Sequence, residues 1–329
     1  MLPAYRGILV LFLALVLAAL LEADGLRKQA TTQPAGVQRD VAMAVTKPLD
    51  SFSRALHLTT PRHDLLVAIG RGNEDEIDTQ VHFTLPPPAG PLPNKIATGP
   101  KPKEHAAKPT KPLYTPAHPL RVWVAGDSLA EVPGEALQRV GGAIDVVGVE
   151  SRLSTGLARP DLYNWFVRLA QAPQQLHPTV AVLSFGADDA HNYMTGVPAG
   201  KTIGPLGSSS WDAEYERRAN GVTAELNAKG IYVVWLGLPN TDHHGFRESF
   251  PVVNGILEDV VAKHKAMSTF VDTWKLLSDK HGHYASYLRV NGQLELMRLS
   301  DGTHYTAAAG DLIAQQILKQ LSTVYRLEG

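Results

Sequence analysis

The ten residues RVWVAGDSLA, from Arg121 to Ala130, decide the fold of this chain. After Arg121, the residues Val122 to Ala125 form a short apolar run typical of a strand that is buried inside a sheet, and a helical pattern begins at Ala130. Gly126 permits a tight turn between the strand and the helix, and Ser128 lies in that turn. A serine placed there can expose its hydroxyl at the edge of the sheet, where backbone N–H groups are free to bind an oxyanion. The alternative is a serine that only caps the helix.

Strand and helix patterns alternate from this stretch to the C-terminus. Strands are predicted at Arg121–Ala125, Ile144–Val149, Thr179–Phe185, Ile231–Leu236 and Thr269–Val271, and helices at Ala130–Val140, Leu162–Ala170, Trp211–Ala228, Val252–His264 and Thr306–Leu321. This alternation predicts an α/β fold in which helices cover both faces of a mainly parallel five-stranded sheet. Sites in such sheets lie at the carboxyl ends of the strands.

Polar residues recur where the predicted strands end and before the last helix. Asp301 and His304 lie in the run DGTH, where a histidine could take a proton from a serine while the carboxylate orients the imidazole. A helix-capping aspartate beside a solvated histidine is the alternative. Two further loops, Ser154–Leu157 and Gly186–Asp189, follow the second and third strands. The order Ser, Gly, GxDD and DxxH is far more specific than any one of its parts.

This order resembles the SGNH superfamily of GDSL-type esterases, from about Leu120 to Leu321. The resemblance implies a three-layer α/β/α, flavodoxin-like domain without a cofactor. It assigns the nucleophile to Ser128, the general base to His304 and the orienting carboxylate to Asp301. It also assigns oxyanion donors to the backbone N–H groups of Ser128 and Gly156 and to an asparagine side chain in the third block. Three stretches are similar to an exported bacterial branch of poorly defined function: STGLARPD (154–161), WLGLP (235–239) and SDGTHYT (300–306).

The third block departs from the family pattern, because Asp188 stands where SGNH proteins have asparagine. An asparagine amide donates to an oxyanion, whereas an ionised carboxylate only accepts, and the loss of one donor costs about 2.7–4 kcal/mol. Asp188 could be protonated beside Asp189, or Asn192 or His191 could supply the donor. Alternatively, the protein could bind a ligand more than it turns it over. The oxyanion and substrate-binding candidates are therefore Gly156, Asp188, Asp189 and Asn192.

The N-terminus suggests export. Arg6 precedes an unbroken apolar run from Ile8 to Leu21, which as a helix would reach about 21 Å, less than the roughly 30 Å of a bilayer core. Residues 1–25 are predicted to be a signal peptide or, because a good cleavage site is missing, an uncleaved signal anchor. Residues 26–84 have mixed helical character, residues 85–119 form a proline-rich linker, and residues 120–329 form the SGNH-like domain.

Composition limits the partners. Lysine plus arginine total 31 against 32 acidic residues, and this balance gives no basic footprint for nucleic acid. The chain has no cysteine, which excludes disulfides and thiolate chemistry. The histidine pairs at 243–244 and 281–283 lack the spacing of a helical zinc site, so no metal is predicted. Trp211, Tyr193 and Tyr287 could stack on a sugar or pack under loops.

These features predict an extracytoplasmic serine esterase or O-acyltransferase, tethered to the cell membrane or secreted, with its domain in the periplasm or at the cell surface. The reaction would pass through an acyl-Ser128 intermediate that either water or a sugar hydroxyl resolves. A linker of some 35 residues could place the site about 100 Å from its tether, which favours an envelope polymer or glycolipid over a freely diffusing metabolite. The predicted substrates are acyl, first of all acetyl, esters of a cell-envelope glycan or glycolipid. A non-catalytic binding module of the envelope is the alternative, and Asp188 is the residue that favours it.

Overall fold

A computed structural model of the protein describes residues 4–32, 37–69, 79–83, 111–190, 193–198 and 200–328. The chain divides into two compact units, Met1–Asp78 and Thr79–Gly329. The larger unit starts before the predicted domain boundary, because Thr79–Phe83 packs on it. Phe83 meets Phe166 edge-to-face at 5.5 Å, and the side chain of Asn164 donates to the carbonyl of Gln80 at 2.9 Å. Most of the predicted proline-rich linker lies outside the described residues.

The smaller unit is helical, with α1 (Ala4–Leu21), α2 (Ala23–Thr32), α3 (Val37–Ala55) and α4 (Thr60–Ala68). Ion pairs join α2 to α3, because Asp50 accepts from Arg27 at 2.5 Å and Arg54 pairs with Asp24. Within the described residues, no helix alone has the length and apolar character to cross a membrane. The stretch Tyr5–Leu21 meets that test only together with Ala23–Thr31, from which it is bent by 70°.

The larger unit is built on a parallel sheet. Its strands are β1 (Leu113–Tyr114), β2 (Leu120–Gly126), β3 (Ile144–Ser151), β4 (Val180–Ser184), β5 (Tyr232–Leu236), β6 (Ser268–Val271), β7 (Tyr287–Val290), β8 (Gln293–Leu296) and β9 (Arg326–Leu327). The central sheet has the order β3-β2-β4-β5-β6, and every pairing in it is parallel. The predicted α/β class with a five-stranded parallel sheet is confirmed.

Helices cover the sheet in two layers. They are α5 (Glu131–Val140), α6 (Trp165–Leu176), α7 (Ser209–Ala228), α8 (His244–Arg247), α9 (Ser249–Lys263), α10 (Thr273–Leu276) and α11 (Ala307–Val324). α5 packs against α11, whereas α7 packs against both α6 and α9. Because the central strands are covered on both faces, β4 and β5 are apolar and fully buried rather than alternating.

The order of the strands places the site. The chain passes from β2 to β3 on one side and then returns to β4 on the other side of β2. Ligands of open parallel sheets bind at the carboxyl ends of strands beside such a reversal. Ser128 follows β2, and the Gly186–Asp189 block follows β4, so both lie at this point.

A hairpin beside the sheet was among the elements that were not predicted from the sequence. The strands β7 and β8 form an antiparallel hairpin whose two-residue turn is Asn291-Gly292, with φ of 51° and 84°. An Asn-Gly pair tolerates these positive φ values and is a strong hairpin signal between alternating strands. That signal was present in YLRVNGQLEL (residues 287–296) and could have identified the hairpin.

Candidate active site

Ser128 begins a short 3-10 turn, Ser128–Ala130, directly after β2. Gly126 makes this turn possible, because a Cβ at that position would lie 1.8 Å from the carbonyl oxygen of Ser184. The backbone N–H of Asp127 donates to the same oxygen at 2.9 Å. The end of β2 is therefore tied to the end of β4 by a contact that only glycine allows.

Asp127 fixes the turn from inside the protein. It is fully buried, and its carboxylate accepts from the backbone N–H of Leu129 at 2.9 Å and from that of Ala187 at 3.1 Å. Burial raises the pKa of Asp127 well above its usual value, and the negative charge of Asp188 raises it further, while the two N–H groups oppose the rise. Asp127 thus connects the serine turn to the third block, and it also interacts electrostatically with the negative charge of Asp188.

The three residues predicted to be catalytic form one hydrogen-bonded chain in the structure. Nε2 of His304 lies 2.8 Å from Oγ of Ser128, and Nδ1 of His304 lies 2.6 Å from Oδ2 of Asp301. In this geometry the carboxylate orients the imidazole, and the imidazole can accept the proton of the serine.

The hydrogen bonds around Asp301 keep its side chain in the ionised carboxylate form. Its Oδ1 accepts from the backbone N–H groups of Thr303 at 2.8 Å and of His304 at 2.9 Å. Burial acts to raise the pKa of Asp301, but these two bonds and the contact with the His304 ring outweigh it, so the pKa lies below its usual value. The group that orients His304 therefore stays ionised at neutral pH.

The turn that carries Asp301 and His304 is closed by the backbone. The N–H of Leu299 donates to the carbonyl of His304 at 2.9 Å, and the N–H of Gly302 donates to the carbonyl of Leu299 at 3.0 Å. Gly302 has a φ of 73°, which glycine adopts without strain, and its carbonyl accepts from Oγ1 of Thr241 at 3.0 Å. The loop after β5 therefore supports the turn.

Gly156 lies on the loop after β3, the strand beside β2, and Asp189 holds that loop. The fully buried carboxylate of Asp189 accepts from the N–H groups of Leu157 at 3.0 Å and Ala158 at 2.7 Å, and from the hydroxyl of Tyr215 at 2.7 Å. A Cβ on Gly156 would lie 2.1 Å from Oδ1 of Asp189, so this position also requires glycine. The expectation that Asp189 binds substrate is corrected here, because its oxygens are engaged inside the protein. Its role is to position the Gly156 loop.

Arg218 supports the same loop from its carbonyl side. It is fully buried and donates to the carbonyl oxygens of Leu157 at 2.7 Å and Thr195 at 2.6 Å. Glu214 pairs with its guanidinium at 2.9 Å. A loop held through both its N–H and its carbonyl groups keeps a fixed geometry, which is what oxyanion donors require.

The remaining oxyanion candidates are at the third block. Asp188 is half-buried on the loop after β4, and Asn192, with His191, lies outside the described residues. Position 188 therefore offers a carboxyl group where an SGNH protein has an amide.

The other polar and aromatic candidates have different places. His243 stacks on Phe246 at 4.3 Å between ring centroids, and Trp211 is fully buried. The backbone N–H groups of His281 and His283 donate to one oxygen of Asp279 at 2.8 and 2.9 Å. Across the described ranges, no group of three or more His, Asp or Glu side chains is arranged to hold a metal ion.

Sequence reasoning missed a cavity of about 430 Å³ beside Asp301. Its lining includes Asp242, Tyr284, Ser286, Tyr287, Arg298 and Asp301, and we call it the hairpin cavity because β7 and β8 contribute to its wall. Among these, the sequence had pointed to Tyr287 as a ligand contact and to Asp301 as a catalytic residue.

The contact between Tyr215 and Asp189 leads to a stability prediction. We expect Tyr215→Phe to lower the free energy of unfolding by about 1–3 kcal/mol, because a fully buried carboxylate loses one of its three donors. The measurement is thermal unfolding of the full chain, with Tyr114→Phe on β1 as the matched control, where a change within about 0.5 kcal/mol is expected. Equal stability of Tyr215→Phe and the parent would contradict the positioning role of Asp189.

Several solved structures are similar to this chain. A GDSL-like lipase from Bacteroides thetaiotaomicron is 16% identical over 62% of this chain and 88% of its own, with a TM-score of 0.42. A variant of an acetyl xylan esterase from Geobacillus stearothermophilus is 14% identical over 64% and 97% of the two chains, with a TM-score of 0.43. A psychrotrophic esterase from Pseudoalteromonas sp. is 12% identical over 62% and 97%, with a TM-score of 0.40. No curated protein sequence matches this chain.

The family described as "Protein of unknown function (DUF459)" matches residues 121–320, from β2 into the last helix. That range contains the four blocks with Ser128, Gly156, Asp188 and His304 in the order that the SGNH resemblance implies, the first three after β2, β3 and β4 and the last before α11. Since the match covers more than half of the sequence, the chain belongs to the DUF459 family.

Proposed function

We propose that the protein is an extracytoplasmic serine esterase or O-acyltransferase that acts on acyl, first of all acetyl, esters of a cell-envelope glycan or glycolipid. The observation that carries the proposal is the continuous hydrogen-bonded chain from Asp301 through His304 to Ser128, with steps of 2.6 and 2.8 Å. It lies at the carboxyl end of a central parallel strand, where sites of such sheets lie.

The first half-reaction follows from this geometry. Oγ of Ser128 attacks the ester carbonyl carbon while Nε2 of His304 takes the serine proton. The oxyanion that forms is stabilised by the backbone N–H groups of Ser128 and Gly156. The tetrahedral intermediate collapses as the carbon–oxygen bond to the alcohol breaks, and His304 gives its proton to the leaving oxygen. The alcohol departs and the acyl group remains on Ser128.

The second half-reaction reverses these roles. A hydroxyl compound attacks the acyl-Ser128 carbonyl while His304 takes its proton, and the Ser128 oxygen then leaves and recovers that proton. Water as the attacking group releases a carboxylic acid, whereas a sugar hydroxyl produces a new ester. Exclusion of water from the site would decide between esterase and transferase.

The extracytoplasmic location is supported by the smaller unit. Arg6 precedes the apolar part of α1, and the large apolar side chains between Ile8 and Leu17 are 40–69% exposed within the unit. A lipid bilayer would cover such a surface, which water solvates poorly. An N-terminal anchor would keep the enzyme at the envelope, close to polymeric substrates.

Labelling with a fluorophosphonate, which reacts with activated serines, tests the proposal. We expect the full chain to be labelled, the Ser128→Ala variant to remain unlabelled, and Ser322→Ala on α11 to be labelled like the parent. The second candidate function, a binding module without turnover, is favoured by Asp188 at the oxyanion position. A folded parent protein that neither becomes labelled nor releases 4-nitrophenol from 4-nitrophenyl acetate would support that alternative and contradict the esterase.

A further inference from the structure

We propose that the hairpin cavity binds the alcohol part of the ester as a neutral sugar ring stacked on Tyr287. This inference rests on the proposed function, and it goes further by naming where the alcohol binds and which residues select it. Tyr287 is on β7, which the family order of blocks does not include. The cavity, of about 430 Å³, lies within the range of roughly 300–1,000 Å³ typical of small-molecule sites.

The direction of proton transfer places the alcohol on this side of the triad. His304 must deliver its proton to the leaving oxygen, so the alcohol leaves beside the imidazole. The oxyanion donor Gly156 follows β3, on one side of β2. The cavity wall instead includes Asp301, which contacts the imidazole, and Asp242, which follows β5 on the other side of β2. The oxyanion and the alcohol therefore bind on opposite sides of β2.

The chemistry of the lining fits a polyhydroxy ring. Tyr287 is 54% exposed and offers an aromatic face to the apolar C–H face of a sugar. The side chain of Asp242 is 64% exposed and is held by Arg247 at 2.7 Å, so its carboxylate can accept from sugar hydroxyls. The hydroxyl of Ser286 donates to that of Tyr284 at 3.1 Å, which adds two more hydrogen-bonding groups. A fatty alcohol could form no hydrogen bonds with these groups and would displace water from them, at a cost.

The charges of the lining favour a neutral sugar over a sugar acid. Arg298 is 1% exposed and has no ion pair among the described residues, and its Nε has no hydrogen-bond partner. The guanidinium of Arg298 interacts electrostatically with Asp301, which lines the same cavity. Because Asp242 and Asp301 balance the buried Arg298 and the Arg247 that pairs with Asp242, the lining offers no excess positive charge to hold an added carboxylate.

Substrate selectivity tests the inference. The full chain is assayed for acid release from three acetates: a fully acetylated methyl glucoside, vinyl acetate, whose leaving group is too small to fill the cavity, and octyl acetate, whose alcohol is apolar. The parent is expected to prefer the glucoside, measured as kcat/KM. In Tyr287→Ala the ratio of kcat/KM for the glucoside to that for vinyl acetate is expected to fall about tenfold.

Asp242→Asn should lower the same ratio, because an amide replaces a carboxylate acceptor. The matched control is Leu294→Ala on the same hairpin, a side chain that is 61% exposed and does not line the cavity, where the ratio should stay within about twofold of the parent. A preference of the parent for octyl acetate, or an equal loss on all three acetates in Tyr287→Ala, would overturn the sugar subsite.

A binding experiment that needs no turnover distinguishes failure of the sugar subsite from failure of the proposed function. Methyl glucoside without acetyl groups is titrated into the Ser128→Ala variant and followed by ligand-observed NMR. Binding that is lost on adding Tyr287→Ala supports the subsite even where every acetate remains intact. Absence of binding in Ser128→Ala, or binding unchanged by Tyr287→Ala, overturns the subsite whether or not the esterase is active.

Discussion

Replacing Ser128 by alanine is expected to lower kcat for 4-nitrophenyl acetate by a factor on the order of 10⁴–10⁶. The reason is that in the proposed mechanism Oγ of Ser128 forms the acyl intermediate, so that without it His304 has no nucleophile to activate. The measurement is the steady-state release of 4-nitrophenol by the full chain and by the variant. Thermal unfolding of both should agree closely, because the change removes one small polar atom at the surface end of β2.

His304→Ala and the double variant with Ser128→Ala sharpen this result. Residues that act as one unit have non-additive effects, so the double variant should lose little more activity than either single variant. Additive losses would indicate that the 2.8 Å contact between Ser128 and His304 does not operate as a catalytic unit. Residual activity above a tenth of the parent value in Ser128→Ala would rule out the acyl-serine mechanism.

Replacing Asp188 by asparagine is expected to raise kcat by a factor on the order of a hundred. The substitution removes a negative charge beside the site and supplies an amide donor at the position where SGNH proteins have one. It should also stabilise the protein at neutral pH. The charge of Asp188 raises the pKa of the buried Asp127. When folding raises the pKa of a carboxyl group, the free energy of unfolding of the protein falls as the pH rises toward that pKa. Removing the charge lowers the pKa of Asp127 and so reduces that loss.

The neighbouring carboxyl group supplies the control for this prediction. Asp189→Asn is expected to lower both kcat and the unfolding temperature, because an amide nitrogen would face one of the N–H groups of Leu157 and Ala158 that the carboxylate accepts. Opposite effects of the two substitutions would separate the charge at position 188 from the loop support at position 189. A lower kcat in Asp188→Asn would instead indicate that the carboxyl group of Asp188 contributes to the reaction.

The local pattern of apolar and polar residues was sufficient to predict the main strands and helices of the fold. The apolar runs that become β2, β4 and β5 are continuous because these strands are covered on both faces, and each predicted strand lies within a few residues of an observed one. The helix predicted at Leu162–Ala170 is shifted to Trp165–Leu176, since the side chain of Asn164 caps its N-terminus by accepting from the N–H groups of Phe166 and Val167.

The sequence alone also singled out Ser128, Asp301 and His304 as catalytic candidates, because residue type and short-range spacing are local properties and their order resembles that of SGNH esterases. Only the tertiary structure decided what lies around them. Asp188 and Asp189 are adjacent and chemically identical in the sequence, yet Asp189 turns inward to hold a loop some 30 residues away, while Asp188 stays half-buried near the site. The hairpin cavity likewise brings together residues from three separate segments, 242, 284–287 and 296–302. Such contacts depend on which face each side chain presents after the strands have paired and the layers have packed, and no local pattern specifies that.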